Sequence, residues 1–395
     1  MLYNNYSQTL PHAARPAAMQ AENTCASERN ARSRLALIAV TMVASECDVI
    51  EAFVRHSLIY VDHVHLQFHN CYDTSPEIVA RLIAEGLAVS AEQSDTPVLR
   101  REHLGDALVR RVAAQGAWDH ILPLDADEFI VADSRDALEA ALAGVQQPGA
   151  LAVPWLSYVP QPDDDPRDPN PLTRIRNRLA APHPRVRKVF FRAALLDGDD
   201  TYLADGNHHL LSRTGRAIRE QPAVGIFLAH YPVRSAQQLV SKVRMGALAR
   251  RLSPDFTEHQ SRHWRALAAD RELGTDMPAE RLARLAGSYL DAGGGAPVPA
   301  PLATAVQRLR YPELIHVDAS ARLAHFAEVL VADALHTNTP ARASEAAYRM
   351  ALAELDSLRR VVQRAHASAQ IYKAMAGAGL VGAAAMALLG LVVIL

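Results

Sequence analysis

The feature that most constrains the fold is the apolar run Leu35-Ala-Leu-Ile-Ala-Val-Thr-Met-Val43, which opens a regular alternation of strand-like and helix-like segments. A continuous apolar run suits a strand covered on both faces. Cys47 to Ile59 then reads as a helix, and Val64-His-Leu-Gln-Phe68 alternates as a second strand. Pro76 to Glu85 reads as a helix ended by Gly86, and Leu99 to Gln115 as another. His120-Ile-Leu-Pro-Leu124 is a short apolar strand, and Leu151 to Trp155, Lys188 to Arg192 and Val224 to Ala229 continue the strand pattern. This alternation predicts an α/β fold with a mainly parallel sheet flanked by helices. In such sheets ligands bind outside the carboxyl ends of the strands.

The rest of the chain divides by composition. Residues 1–34 are polar, lack an apolar h-region and read as a loose leader rather than a secretory signal. Residues 35–252 carry the alternation and are expected to form the catalytic domain. Within them, Pro160 to Pro184 is rich in Pro, Asp and Arg and reads as a long loop, a common form for a functional lid. From Ser235 the pattern is helical, and residues 253–372 read as a helical region with a Gly- and Pro-rich linker at 292–301. Ala341 to Lys373 reads as one long helix.

Residues 374–395 contain no charged side chain. As a helix they would span roughly 33 Å, enough for a bilayer core. Arg359, Arg360, Arg364 and Lys373 precede them, which suits a cytoplasmic flank. The expectation is a single-pass anchor that holds the catalytic domain at the cytoplasmic face of the plasma membrane. Gly379, Ala383 and Ala387 form a small-residue stripe suited to a weak homodimer. The competing reading is a buried C-terminal helix.

Charge excludes one class of partner. The 41 Lys and Arg nearly balance the 43 Asp and Glu, so the chain is not a polycation built for nucleic acid. Its 3 cysteines are too few and of the wrong spacing for a disulfide framework or a zinc site, which fits a reducing compartment.

The chemistry concentrates after the His120 to Leu124 strand. Asp125-Ala-Asp127-Glu128 places three carboxylates in four positions. Like charges so close require compensation, and Mg²⁺ or Mn²⁺ is the usual partner of such oxygen ligands. On an extended segment Asp125 and Asp127 would face one site. A solvated acidic turn is the plain alternative. Two histidine groups follow, Gly206-Asn207-His208-His209 and His230-Tyr231-Pro232, as metal ligands, phosphate donors or structural residues. Among the basic residues from Arg174 to Arg192, Lys188 and Arg192 lie in or beside a strand and are the better phosphate candidates.

Taken in order, these features resemble the family 2-like glycosyltransferases of bacteria. They comprise the first strand with Glu46, Ile50 to His56, His63 to Asp73, Trp118 to Phe129, Trp155, Lys188, His208 or His209, and His230-Tyr231-Pro232 with Ser235 and Lys242. The resemblance covers roughly Leu35 to Gly246. Its specific parts are Leu-Asp-Ala-Asp-Glu-Phe and His-Tyr-Pro-x-x-Ser. It implies a GT-A-like, Rossmann-like fold. It also implies a metal, Mn²⁺ or Mg²⁺, held by Asp125 and Asp127 on the diphosphate of a nucleotide-sugar donor, with His208 or His209 as further ligands. Glu46 and Asp73 are then expected at the nucleotide, and Lys188, His230 and Lys242 beside the donor. The segment His69-Asn70-Cys71-Tyr72-Asp73 departs from the family's Asp-Asn-Asn-Ser-x-Asp. For an inverting reaction the base is expected among Glu128 and Asp205. A glycan or lipid-linked acceptor for envelope polysaccharide or glycolipid fits a membrane anchor.

Three other readings compete: a nucleotidyltransferase on a similar sheet, a phosphohydrolase with Asp125 as nucleophile, and a membrane-tethered interaction protein. Phe129 counts against the phosphohydrolase, which expects Thr or Val there.

Overall fold

The computed structural model describes residues 34–94, 104–183, 186–198, 200–252, 267–270, 272–289, 295–303, 306–326 and 329. The predicted leader up to residue 33, the long helix from Ala341, the anchor and its small-residue stripe lie outside the described residues. Among those described, no helix is long and apolar enough to cross a membrane.

The first half of the domain lays down β1 (Leu37–Val43), α1 (Ile50–Ser57), β2 (His63–Phe68), α2 (Ser75–Ala84), β3 (Val89–Gln93), α3 (Leu104–Gln115), β4 (His120–Pro123), β5 (Glu128–Val131) and α4 (Arg135–Ala143). Next come β6 (Gly149–Ser157), α5 (Pro171–Arg174), β7 (Asn177–Leu179), β8 (Arg187–Arg192), β9 (Thr201–Leu203), β10 (Leu210–Ser212), β11 (Arg219–Pro222) and β12 (Phe227–His230). α6 (Ala236–Leu252), α7 (Ala279–Gly287) and β13 (Pro297–Pro299) complete the described elements that matter here.

The main sheet runs β3-β2-β1-β4-β8-β6-β12-β5, with β11 beside β6. The β3-β2-β1-β4 half is parallel. The other half is mixed, because β8 runs antiparallel to β4 and β6, and β5 runs antiparallel to β12. The expectation of a mainly parallel sheet therefore holds for one half and fails for the other. β5 follows β4 through a short turn, and β8 follows β6 through α5 and β7, so neither enters the sheet by the single helical crossover of a parallel βαβ unit.

β1 shows why its apolar run is continuous. Leu37, Ala39 and Val43 point into one core cluster with α1, while Ile38 and Val40 point into another with Leu108, Val109 and Val112 of α3. Both faces are covered, so neither can be polar. α4 is set by Ser134, whose side chain accepts from the Ala137 N–H at 3.1 Å, and by an Arg135–Glu139 pair at 2.7 Å.

Two segments differ from their sequence reading. The loop expected over residues 160–184 contains α5 and β7, and the expected linker contains β13, which pairs antiparallel with β7. Pro297 and Pro299 lack N–H donors, which suits the edge of a two-stranded ribbon.

His120, at the start of β4, is 2% exposed. Burial, assisted by Arg192, pushes its pKa from 6.5 down to about 4. The unfolded chain would bind a proton there below about 6.5 and the folded chain would not until about 4. Stability is therefore complete above that window and falls as pH drops through it, by about 1.4 kcal/mol per unit for such a group. In denaturant titrations between those two pH values, His120→Gln should show a shallower loss of stability than the wild type. An equal slope would show that His120 is not held neutral.

Candidate active site

The Asp-Ala-Asp-Glu segment is a turn, not the extended stretch that the spacing suggested. The Glu128 N–H donates to the Asp125 carbonyl at 3.0 Å, and the Asp125 N–H donates to the Glu128 carboxylate at 3.0 Å. The turn connects β4 to β5, and β5 is pinned by β12 in the register His230 to Glu128. The Tyr231 N–H donates to the Asp127 carbonyl at 2.9 Å, which ties the His-Tyr-Pro segment to the turn. Phe129 anchors it beneath, with ring contacts to Phe53, His56 and Tyr231.

The turn gives the three carboxylates different surroundings. Asp125 remains half-exposed, with its side chain at 49%. Asp127 is buried and Glu128 fully so. Each meets a cation. Lys188 of β8, wholly buried, donates to Asp125 at 2.8 Å and to the Gly206 carbonyl at 2.9 Å, and lies 3.4 Å from Glu128. Lys242 of α6 donates to Asp127 at 2.6 Å. Arg234 lies 3.6 Å from Asp127, and His230 lies 3.9 Å from it. Burial alone would raise Asp127, but Lys242, His230 and Arg234 overcome it and hold the carboxyl well below its ordinary range. Burial dominates at Glu128 and pushes it well above, against the pull of Lys188.

Arg234 organises the loop after β1. It donates to both Asp48 oxygens at 2.7 and 3.0 Å, to the Tyr231 carbonyl at 2.9 Å, and to Glu46. Burial raises the Glu46 pKa despite Arg234 and Lys242. Burial also pushes His230 and His208 down to about 4, so both rings are neutral near pH 7.

Of these groups, Glu46, Asp125, Asp127 and Lys242 border a cleft of about 310 Å³ at the carboxyl ends of β1, β2 and β4. Its walls come from Ser45 and Glu46 after β1, His69 and Asn70 after β2, the turn, and one face of α6. Gln238, Ser241, Lys242, Met245 and Ala249 recur at helical spacing along that face. Asn70 adopts a left-handed backbone, φ 55°, which Asn tolerates better than most residues. A second cavity of about 230 Å³, lined by α3, Leu203 and Asn207, shares Met42 and Asp125 with the first.

The structure thus brings Glu46, Asp125, Asp127, Lys188, His230 and Lys242 together. The other expected site residues have different surroundings. Glu128 is fully buried and is not among the residues that line the cleft; its carboxyl accepts from the Asp125 N–H and closes the turn. Asp73 is taken up by the Cys47 N–H at 3.0 Å, Ser75, and Arg322. His209 is bound to Glu220 at 2.6 Å, and His208 to the Arg187 carbonyl at 2.8 Å, so the four-ligand set with Asp125 and Asp127 is not assembled. Asp205 belongs to a short turn, Asp205–Asn207, whose Gly206 carbonyl meets Lys188. Its side chain lies outside the described residues. Sequence reasoning missed Arg234, Asp48 and Arg322. Arg234 stood at an unassigned position inside the His-Tyr-Pro-x-x-Ser stretch.

A divalent cation fits this site in one form only. Among the described residues no cluster of three His, Cys, Asp or Glu side chains could hold an ion alone. Mg²⁺ and Mn²⁺ in phosphoryl sites commonly take one or two carboxylates and complete their shell with substrate phosphates and water. Asp125, half-exposed and with only one oxygen occupied by Lys188, suits that arrangement.

No protein-family model and no curated protein matches the chain. Among solved structures it is similar to S. aureus TarS at 16% identity, covering 58% of this chain and 41% of that one, with a TM-score of 0.32. The chain thus spans less than half of that structure's length. It is similar to the mannosyltransferase PcManGT from Pyrobaculum calidifontis, in complex with GDP-Man and Mn²⁺, at 18% identity over 84% of each chain, TM-score 0.32. A third is glucosyl-3-phosphoglycerate synthase from Mycobacterium tuberculosis with Mn²⁺, UDP and glucosyl-3-phosphoglycerate, at 17% identity, 54% and 78% coverage, TM-score 0.28. At these scores the likenesses establish neither fold family nor activity for this chain.

Lys188 is a sensitive position, because it is wholly buried and serves Asp125 and Glu128 at once. Removing one partner of a buried pair costs about 3–5 kcal/mol. Lys188→Met should lower unfolding free energy by about that amount, and Lys188→Met with Glu128→Gln should recover part of it. Wild-type stability in the single variant would contradict the pairing.

Proposed function

We propose that this chain is a glycosyltransferase that moves a sugar from a nucleotide-sugar donor to an acceptor hydroxyl. The observation that carries the reading is the cleft at the strand ends, where half-exposed Asp125 and cationic Lys242 border one space. A diphosphate carries the charge that such a pair accommodates. Lys242 would donate to a phosphate oxygen while keeping Asp127 ionised. Lys188, from beneath, would hold Asp125 in one orientation. Asp125 would hold a divalent cation, Mn²⁺ or Mg²⁺, which would supply neutralisation of the leaving group when bound.

In this reading the new bond joins the acceptor oxygen to the anomeric carbon as the bond to the diphosphate oxygen breaks, and the acceptor's proton passes to a carboxylate base, for which Asp205 and Glu128 are the candidates. The family resemblance favours inversion, with the acceptor approaching opposite the leaving group. The GT-A fold, membrane attachment through residues 374–395, a cytoplasmic orientation, a lipid-linked or glycan acceptor and weak dimerisation belong to the same proposal.

Turnover of a panel of nucleotide sugars by the full chain tests it. Release of nucleoside diphosphate should require added Mn²⁺ or Mg²⁺ and cease in excess chelator. Lys242→Met should lower the rate about a hundredfold, the size of effect seen when one preorganised charge-stabilising group is removed. Asp125→Asn should do at least as much with the fold retained by circular dichroism. Undiminished release in either variant would overturn these roles.

A further inference from the structure

The cleft has a wall that neither motif supplies. Residues 309–326 pass around α1 and α2. The backbone N–H groups of Arg310 and Tyr311 donate to Glu51 at 2.7 and 3.0 Å, and their side chains donate to Glu85, each at 2.6 Å. The Thr74 hydroxyl donates to the Leu314 carbonyl. Residues 319–326 are helical, and the Ala319 N–H donates to Gln237 of α6 at 3.0 Å. This docking sets Arg322 and Phe326, both 2% exposed, into the cleft wall. Phe326 packs against Tyr72 with ring centres 5.6 Å apart. Arg322 meets Asp73, the Cys47 sulfur at 3.3 Å, and the Ser241 hydroxyl at 3.5 Å. Lys242 therefore marks the Asp127 side of the cleft, and Arg322 marks the side of the loops after β1 and β2.

The chemistry of that second side follows from what Asp73 has left to offer. It accepts from the Cys47 N–H, from the Ser75 N–H at 2.9 Å and from the Ser75 hydroxyl at 2.6 Å, and it pairs with Arg322. A free carboxylate there would select N–H and O–H donors on a nucleoside. A guanidinium is a donor only, with five N–H groups, and Asp73 and its neighbours do not use them all. It selects acceptors. The forked geometry suits a keto oxygen, alone or with an adjacent ring nitrogen as on guanine. Phe326 adds an apolar surface of the kind on which bases pack.

We propose that Arg322 selects the base of the donor, favouring a keto-bearing base, uracil or guanine, over adenine. This rests on the reading of the cleft as a nucleotide-sugar site. Calorimetric titration of the full chain with UDP, GDP, ADP and inorganic pyrophosphate, in the presence of Mn²⁺, separates the two claims. Wild type should bind UDP or GDP about tenfold or more tightly than ADP, the effect of one hydrogen bond to a charged group. Arg322→Lys, which keeps the charge on Asp73 but loses the fork, should erase most of that preference and leave pyrophosphate affinity unchanged. Arg322→Met with Asp73→Asn removes both charges together, so no carboxylate is left buried and unpaired, and should do the same. A preference that survives in both folded variants, or a wild type that binds ADP as tightly as UDP and GDP, overturns base selection by Arg322. A wild type that binds none of these ligands overturns the reading of the cleft itself, and this proposal with it.

Discussion

Two acidic side chains, Asp127 and Glu128, are buried at the β4–β5 turn, and their neutralisation decides how the rest of the domain must fold. Transfer of an unpaired carboxylate to such a place costs several kcal/mol even after relaxation. Lys188 comes from β8, Arg234 from the segment after β12, and Lys242 from α6. These elements lie some sixty to one hundred and fifteen residues along the chain from the turn. Each supplies a cation that the buried carboxylates of the turn need. The antiparallel insertion of β8 into the sheet is what carries Lys188 beneath Asp125 and Glu128. The pairing of β12 with β5 brings His230 and Arg234 to Asp127.

This arrangement separates structural charge from available charge. Glu128 is spent on closing the turn, Asp48 on Arg234, and Asp73 on Arg322. What lines the cleft is Asp125, Lys242 and Glu46, the last also bonded to Arg234. Neutral His230 and His208 lie close to the aromatic ring of Trp155, with ring centres 4.1 and 5.5 Å away. Near neutral pH the two histidines stay uncharged and Lys242 stays charged, because the histidines titrate far below that range and Lys242 far above it.

Much of the first half was legible in the sequence because its determinants are local. The apolar run of β1, the alternation in β2 and Gly86, at φ 80° after α2, each fix one element through nearby residues. The Asp-Ala-Asp-Glu cluster drew attention because its charge density is readable without a structure. The second half was less legible because strand direction there depends on partners far along the chain. β8 and β5 look like ordinary apolar strands, and nothing in four to six residues encodes antiparallel pairing. The partners of Glu128, Asp73 and His209 were not legible for a related reason. Residue type shows what a side chain can do, while its partner, here a backbone N–H, Arg322 or Glu220, decides what it still has free.

The central claim is that the cleft between the Asp-Ala-Asp-Glu turn and α6 receives a nucleotide diphosphate. The most direct test is a crystal structure of the full chain grown with a nucleoside diphosphate and Mn²⁺. The account predicts the diphosphate between Asp125 and Lys242, with a phosphate oxygen within hydrogen-bond reach, about 3 Å, of the Lys242 nitrogen, and the metal on Asp125. Diphosphate bound at any other surface, with Lys242 still held only by Asp127, would contradict it.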